Sequence, residues 1–156
     1  MKLRHMQGSS PEAAALVARL FCAAQAWGVM LWDVPRELRP AALAETLSGA
    51  DVYAATQDDR LVACAWVCPA LPDTRVAVAH FCSLGGPEAL AAGRAFLEHR
   101  ELTARYDALL GVIPAPYRHA RRFVRALGFT EQLLPGLCRL PERRRPVPGA
   151  LVVRIL

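Results

Sequence analysis

The run RVAVAHFCS, residues 75–83, sets His80 and Cys82 two positions apart in an apolar stretch. Read as a strand, it turns both side chains to one face, which Val76 and Val78 continue toward the other end. An imidazole titrates near neutrality, so His80 is a candidate proton acceptor with a thiol beside it. The plainer reading is a strand histidine held inside a core or at an edge. Cys64, Cys68, His80 and Cys82 suggest a metal site by composition. However, Cys64 and Cys68 on one strand would lie ~13 Å apart at ~3.3 Å per residue, too far to share one zinc ion. No metal is expected.

A second candidate lies in PAPYRHARRFVRALGF, residues 114–129. As a helix it places Arg118, Arg121, Arg122 and Arg125 at i, i+3, i+4 and i+7, a single stripe of permanent charge. Ala120, Phe123, Val124 and Leu127 form an apolar stripe on another side. The charged stripe could meet a phosphate ligand, a nucleic acid or only water. No aromatic interleaves the arginines on the exposed stripe and no helix-turn-helix or zinc-finger spacing is present, which argues against nucleic acid. The third candidate is Gly85-Gly86-Pro87 ahead of a helical run, which reads as a helix-initiating turn or a phosphate cradle.

These groups must be positioned by one domain, residues 1–156, long enough to bury a core. Hydrophobic residues make up 54% and charged residues 21%, the proportions of an ordinary globule. The net charge of +5 is unevenly spread. Residues 111–156 carry nine arginines against Glu131 and Glu142, or 9 − 2 = +7, which leaves −2 for the rest. Usage rich in Arg and poor in Lys fits a GC-rich bacterial or phage genome. An odd count of five cysteines disfavours a disulfide framework and points to a reducing, cytoplasmic setting. The segment from MKLRHM to LFCAAQAWGVMLW imitates a signal peptide, but Glu12 and Arg19 interrupt it and its apolar part is too short to span a bilayer.

Ser10 and Pro11 supply an N-cap and a first-turn proline for a helix carrying Leu16, Val17, Leu20, Phe21 and Ala24 inward. A shorter helix is expected within Pro40–Leu47, stopped at Ser48-Gly49. DVYAAT, LVACAWVC and RVAVAHFCS then read as a three-stranded antiparallel meander, because only short turns join them. A helical run from Glu88 to Glu101 leads to the buried strand ALLGVI at 108–113, and the crossover makes that strand parallel to 75–83. The arginine helix and two extended stretches, Thr130–Leu140 and Ala150–Ile155, follow. The order is βααβββαβαββ, a mixed α/β arrangement with a mainly antiparallel sheet.

This order, the glycine turn before the third helix, and Leu127-Gly128-Phe129 closing the fourth resemble the GNAT superfamily of acyl-CoA N-acyltransferases. Pro114, Tyr117, Arg118, Ala120, Leu127, Gly128 and Phe129 stand in step with a pattern of the short phage and prophage members. The resemblance implies a V-shaped opening between the strands near 76–83 and 108–113, with pantetheine along exposed backbone. It implies acetyl-CoA or another acyl-CoA as co-substrate, and an amine of a small molecule or protein as acceptor. Neither nucleic acid nor membrane is implied. The family's pyrophosphate signature, Gln/Arg-x-x-Gly-x-Gly/Ala, aligns with Glu88-Ala89-Leu90-Ala91-Ala92-Gly93. On this resemblance Gly85, Gly86, Gly93, Arg94, Arg118 and Arg121 are expected at the cofactor. His80 is expected as the base, with Cys82 and Tyr117 lining the same cleft.

The departures are specific. Glu88 replaces Gln/Arg, Ala91 replaces the first glycine, and Tyr117 stands where the family has Asn. Val124 stands where a tyrosine often protonates the leaving thiolate. The alternative function is therefore a GNAT-like binding or assembly module without turnover, of phage or prophage type.

Overall fold

The computed structural model describes residues Met1–Leu156. Seven strands form a single sheet in the order β1-β2-β3-β4-β5-β7-β6. The strands are β1 Lys2–Gln7, β2 Asp51–Gln57, β3 Arg60–Pro69, β4 Val76–Ser83, β5 Ala108–Pro114, β6 Thr130–Cys138 and β7 Val147–Ile155. Every neighbouring pair is antiparallel except β4–β5. The expected meander, the parallel crossover and the mainly antiparallel sheet are all present.

Helix α1 (Pro11–Ala24) begins where the sequence signals it: Ser10 Oγ accepts the Ala13 N–H at 3.2 Å and Pro11 fills the first turn. A short α2 (Trp27–Met30) follows, then α3 (Arg39–Ser48), closed at Gly49. These helices cover one sheet face. Val17, Leu20, Phe21, Leu43 and Leu47 pack there against Val52, Cys64, Trp66 and Cys82. The expected single helix over 88–101 is two helices, α4 (Gly86–Leu97) and α5 (Arg100–Arg105). The break lies at Glu98 and His99, where His99 turns extended at φ −68°, ψ 126°. That turn lets α5 carry Leu102 into the second core with Tyr53, Phe96 and Leu109. Helix α6 (Arg118–Ala126) covers the same face further along.

Candidate functional site

The parallel contact between β4 and β5 is only three residues long, Val76–Val78 against Ala108–Leu110, after which the strands part. Backbone phase fixes what the gap exposes. Val76 O accepts the Ala70 N–H and Leu84 N donates to Val62 O, both toward β3. Period-2 alternation then turns the backbone of the odd-numbered β4 residues toward β5. The Ala79 carbonyl and both polar groups of Phe81 lie beyond the last rung, with no strand opposite. Gly111 stands across from them. A side-chain carbon built there would lie 3.6 Å from the Ala79 oxygen and 3.1 Å from Val152 Cγ2.

A cavity of about 440 Å³ passes through this gap and is lined from both sheet faces. On the face of α1–α3 its walls include Val29, Met30, Trp32, Asp33, His80 and Tyr117. On the other face they include Phe96, Leu97, Phe123, Val124 and Leu127. Phe81 of β4 stacks on Phe123 of α6 across the gap, with ring centroids 4.7 Å apart and planes 29° apart. Nineteen of the 23 lining residues are hydrophobic, and the only side chains with hydrogen-bonding groups are Asp33, His80, the Tyr117 hydroxyl and the Trp32 indole N–H.

His80 lines the cavity, stacked on Trp66 with centroids 5.0 Å apart and planes 9° apart. Burial lowers its pKa from the ordinary 6.5 to about 4, and the Asp33 carboxylate opposes that shift only in part. At neutral pH the ring is uncharged and can accept a proton or a hydrogen bond. Tyr117 comes from the turn leading into α6, and its hydroxyl donates to the Gly28 carbonyl at 2.9 Å. Its pKa is raised, first by burial and then by Glu142. The phenol therefore stays protonated.

Cys82 is placed differently from the expectation. It shares the His80 face, as alternation requires, but it lies outside the cavity walls and is 3% exposed within the α1–α3 core. Burial pushes its thiol up to about 12, so it is neither thiolate nor acid near neutral pH. The cavity ends before Cys82 because β4 is covered by helix there.

The expected cofactor residues also divide. Gly85 and Gly86 open α4 with φ of 86° and 77°, a left-handed geometry suited to glycine. A Cβ on Gly86 would lie 2.8 Å from Glu88 Oε2, so the acid folds back over the first turn of its own helix. Gly93 lies elsewhere. A Cβ there would meet Leu127 Cδ1 at 2.8 Å and Phe123 Cζ at 3.0 Å, so this glycine permits close approach of α4 and α6. Arg94 is exposed in the last turn of α4, away from its N-terminus.

Arg121 and Arg125 both grip Glu131 of β6. Arg125 reaches it through Nη2 at 2.8 Å and Nε at 3.2 Å, and Arg121 through Nε at 3.3 Å and a closer Nη2 contact. Hydrogen bonds from the two guanidinium groups pull the Glu131 carboxyl down to about 2. Arg121 is thereby committed to holding α6 on the sheet, and Arg118 and Arg122 remain exposed without an ion pair.

Sequence reading missed Asp33, Trp32 and the rest of the segment between α2 and α3. Val34 O accepts Arg39 Nε at 3.2 Å, which ties that segment to the first turn of α3, and Arg39 is itself buried. Its one sequence signal was a lone acid beside a tryptophan between two helices.

Solved structures match over the whole sheet and its helices. A ribosomal-protein-alanine N-acetyltransferase from Brucella melitensis superposes with a TM-score of 0.70 at 19% identity, over 100% of both chains. An acetyltransferase of the GNAT family from Streptococcus pneumoniae gives 0.69 at 10% identity, over 99% of this chain and 100% of that one. The fold is the GNAT acetyltransferase fold. A protein from Salmonella typhimurium described as a putative acetyltransferase, solved with its cofactor acetyl-CoA, gives 0.65 at 15% identity, over 100% of this chain and 94% of that one. At the level of sequence, neither a family model nor a curated protein matches. No helix is long and apolar enough to cross a membrane.

Proposed function

We propose that the chain transfers an acyl group, acetyl in the simplest case, from coenzyme A to an amine held in the through-sheet cavity. The observation that carries this reading is the split between β4 and β5. It sets unpaired backbone groups of Ala79 and Phe81 along a slot of about 440 Å³ that opens toward an imidazole and a phenol. A pantetheine arm with its amides fits the unpaired strand edge, where each free backbone group gains a partner. At the far end Gly85, Gly86 and the exposed Arg118 suit phosphate, and the Glu88 carboxylate must swing away from the α4 terminus to admit it.

His80 receives the proton that the amine nitrogen loses as its C–N bond forms. The thioester C–S bond breaks, and the departing thiolate is protonated by water, or by Tyr117 once its hydroxyl releases the Gly28 carbonyl. The acceptor enters this step as the uncharged amine. The apolar walls keep water from competing for the acyl group.

A second reading is a binding module of phage or prophage type without turnover. Val124 favours it, because it lines the cavity where the family's acid often stands and has no proton to give. Titration calorimetry with acetyl-CoA, together with its effect on melting temperature, separates no binding from binding. Acyl transfer to a panel of amines then separates module from enzyme. Heat and a raised melting point, with His80→Gln keeping both and losing about 10²-fold in turnover, are expected for the enzyme. Binding without any transfer leaves the module, and no heat at millimolar acetyl-CoA ends the acyl-CoA reading.

A further inference from the structure

We infer that the acceptor is a small monoamine, one cationic nitrogen on an apolar body such as an arylalkylamine. This rests on the acyltransfer reading and names the substrate class of the same site. The face of the cavity toward α1–α3 presents Val29, Met30, Trp32 and Val112, with one carboxylate, Asp33, among them. Asp33 lies at the exposed rim of the cavity, makes no ion pair and accepts no side-chain hydrogen bond within the protein. It is close enough to His80 to act on the charge of that ring. An acceptor's ammonium drawn to Asp33 is therefore held beside His80. The uncharged amine it leaves on losing a proton to solvent stands next to the group that takes the later proton.

The same walls argue against other acceptors. A polyamine or an aminoglycoside brings several charges or hydroxyls, and with a single carboxylate on an apolar lining most of them lose water without a partner. A peptide N-terminus brings backbone N–H and C=O groups. Beyond Asp33 the wall offers only His80, the Trp32 indole N–H and a tyrosine hydroxyl already donating to Gly28, too few for a peptide's several polar groups. An aliphatic or aromatic body, by contrast, gains from each surface it removes from water. Its cation needs one carboxylate, and the site has one.

The test compares 2-phenylethylamine and hexylamine with spermidine, an aminoglycoside and an alanine-initiated tetrapeptide, all at saturating acetyl-CoA. The apolar monoamines are expected to show kcat/KM at least about 10-fold above every other acceptor, the scale of a site matched in polarity. Asp33→Asn should raise their KM by about 10-fold while the calorimetric affinity for acetyl-CoA stays unchanged. Binding of 2-phenylethylamine to the protein alone, followed by ligand-observed NMR, is expected and should weaken in Asp33→Asn. A flat or reversed preference, or an unchanged KM in Asp33→Asn, overturns the inference while acetyl-CoA heat keeps the acyltransfer reading. Absence of acetyl-CoA heat overturns that reading, and the amine-binding arm still decides the inference: no 2-phenylethylamine binding sinks it.

Discussion

The sheet has two unlike halves. In β1–β4 the central strands are buried on both faces. β2 is buried from Asp51 to Ala55 and β3 from Val62 to Val67, with Tyr53 and Trp66 wholly enclosed. In β5–β7 burial is intermittent, and Leu133 and Leu137 of the edge strand are 52% and 39% exposed. Two cores hold the first half, one on each face. The second half depends on α6, pinned by Arg121 and Arg125 on the Glu131 carboxylate. The contrast teaches that the more deeply buried half supplies the imidazole, and the more exposed half supplies the α6 wall of the cleft.

The sharpest way to break the comparison is Trp66→Ala. It opens a hole between α1 and β3 and removes the surface on which His80 stacks. A loss of about 3–5 kcal/mol is expected in denaturant unfolding. Trp66→Phe, which keeps an aromatic and removes an indole N–H that has no partner, should cost far less. Equal losses in the two variants would show that the first half is not held by this packing.

Acid should act next. The folded His80 titrates at about 4 and the unfolded ring at the ordinary 6.5, so the unfolded state binds its proton first as pH falls. Stability is full above about 6.5, declines toward 4 and levels off below, by roughly 3 kcal/mol from this group. His80→Gln should remove that slope, as urea midpoints across this pH range will show. An unchanged slope would place the histidine outside the buried site.

Gly93→Ala tests the join between halves. Its added methyl meets Leu127 and Phe123 at or inside contact distance, and a cost of about 1–3 kcal/mol is expected, with a wider α4–α6 separation and weaker acetyl-CoA heat. The smallest effect is expected for Glu131→Gln. Amide hydrogen exchange should quicken in α6 and β6 and stay unchanged in β2 and β3. Faster exchange in both halves would mean that the two are not separable.

Local signals in the sequence carried the frame. Ser10-Pro11, Gly49 and the turns of the meander mark boundaries because caps and turns are set by neighbouring residues. Alternation also put His80 and Cys82 on one face. It could not say where along that face the helices end, which decides that His80 lines the cavity and Cys82 does not. The arginine stripe was legible as a stripe, but its partner Glu131 comes from the following strand, beyond the reach of i, i+4 spacing. Gly93 looked like a phosphate glycine by alignment. Only the approach of α6, set by tertiary packing, shows what its missing side chain is for.

The three-rung contact of Val76–Val78 with Ala108–Leu110 also bears on the order of assembly. The meander of β2, β3 and β4 closes short loops, and β6 and β7 close another, so each can form early and alone. The parallel rungs join segments 32 positions apart (108 − 76) and reward the chain only once both sides exist. The ligand slot therefore takes shape only where these two sides meet, and whatever fills it bridges both of them.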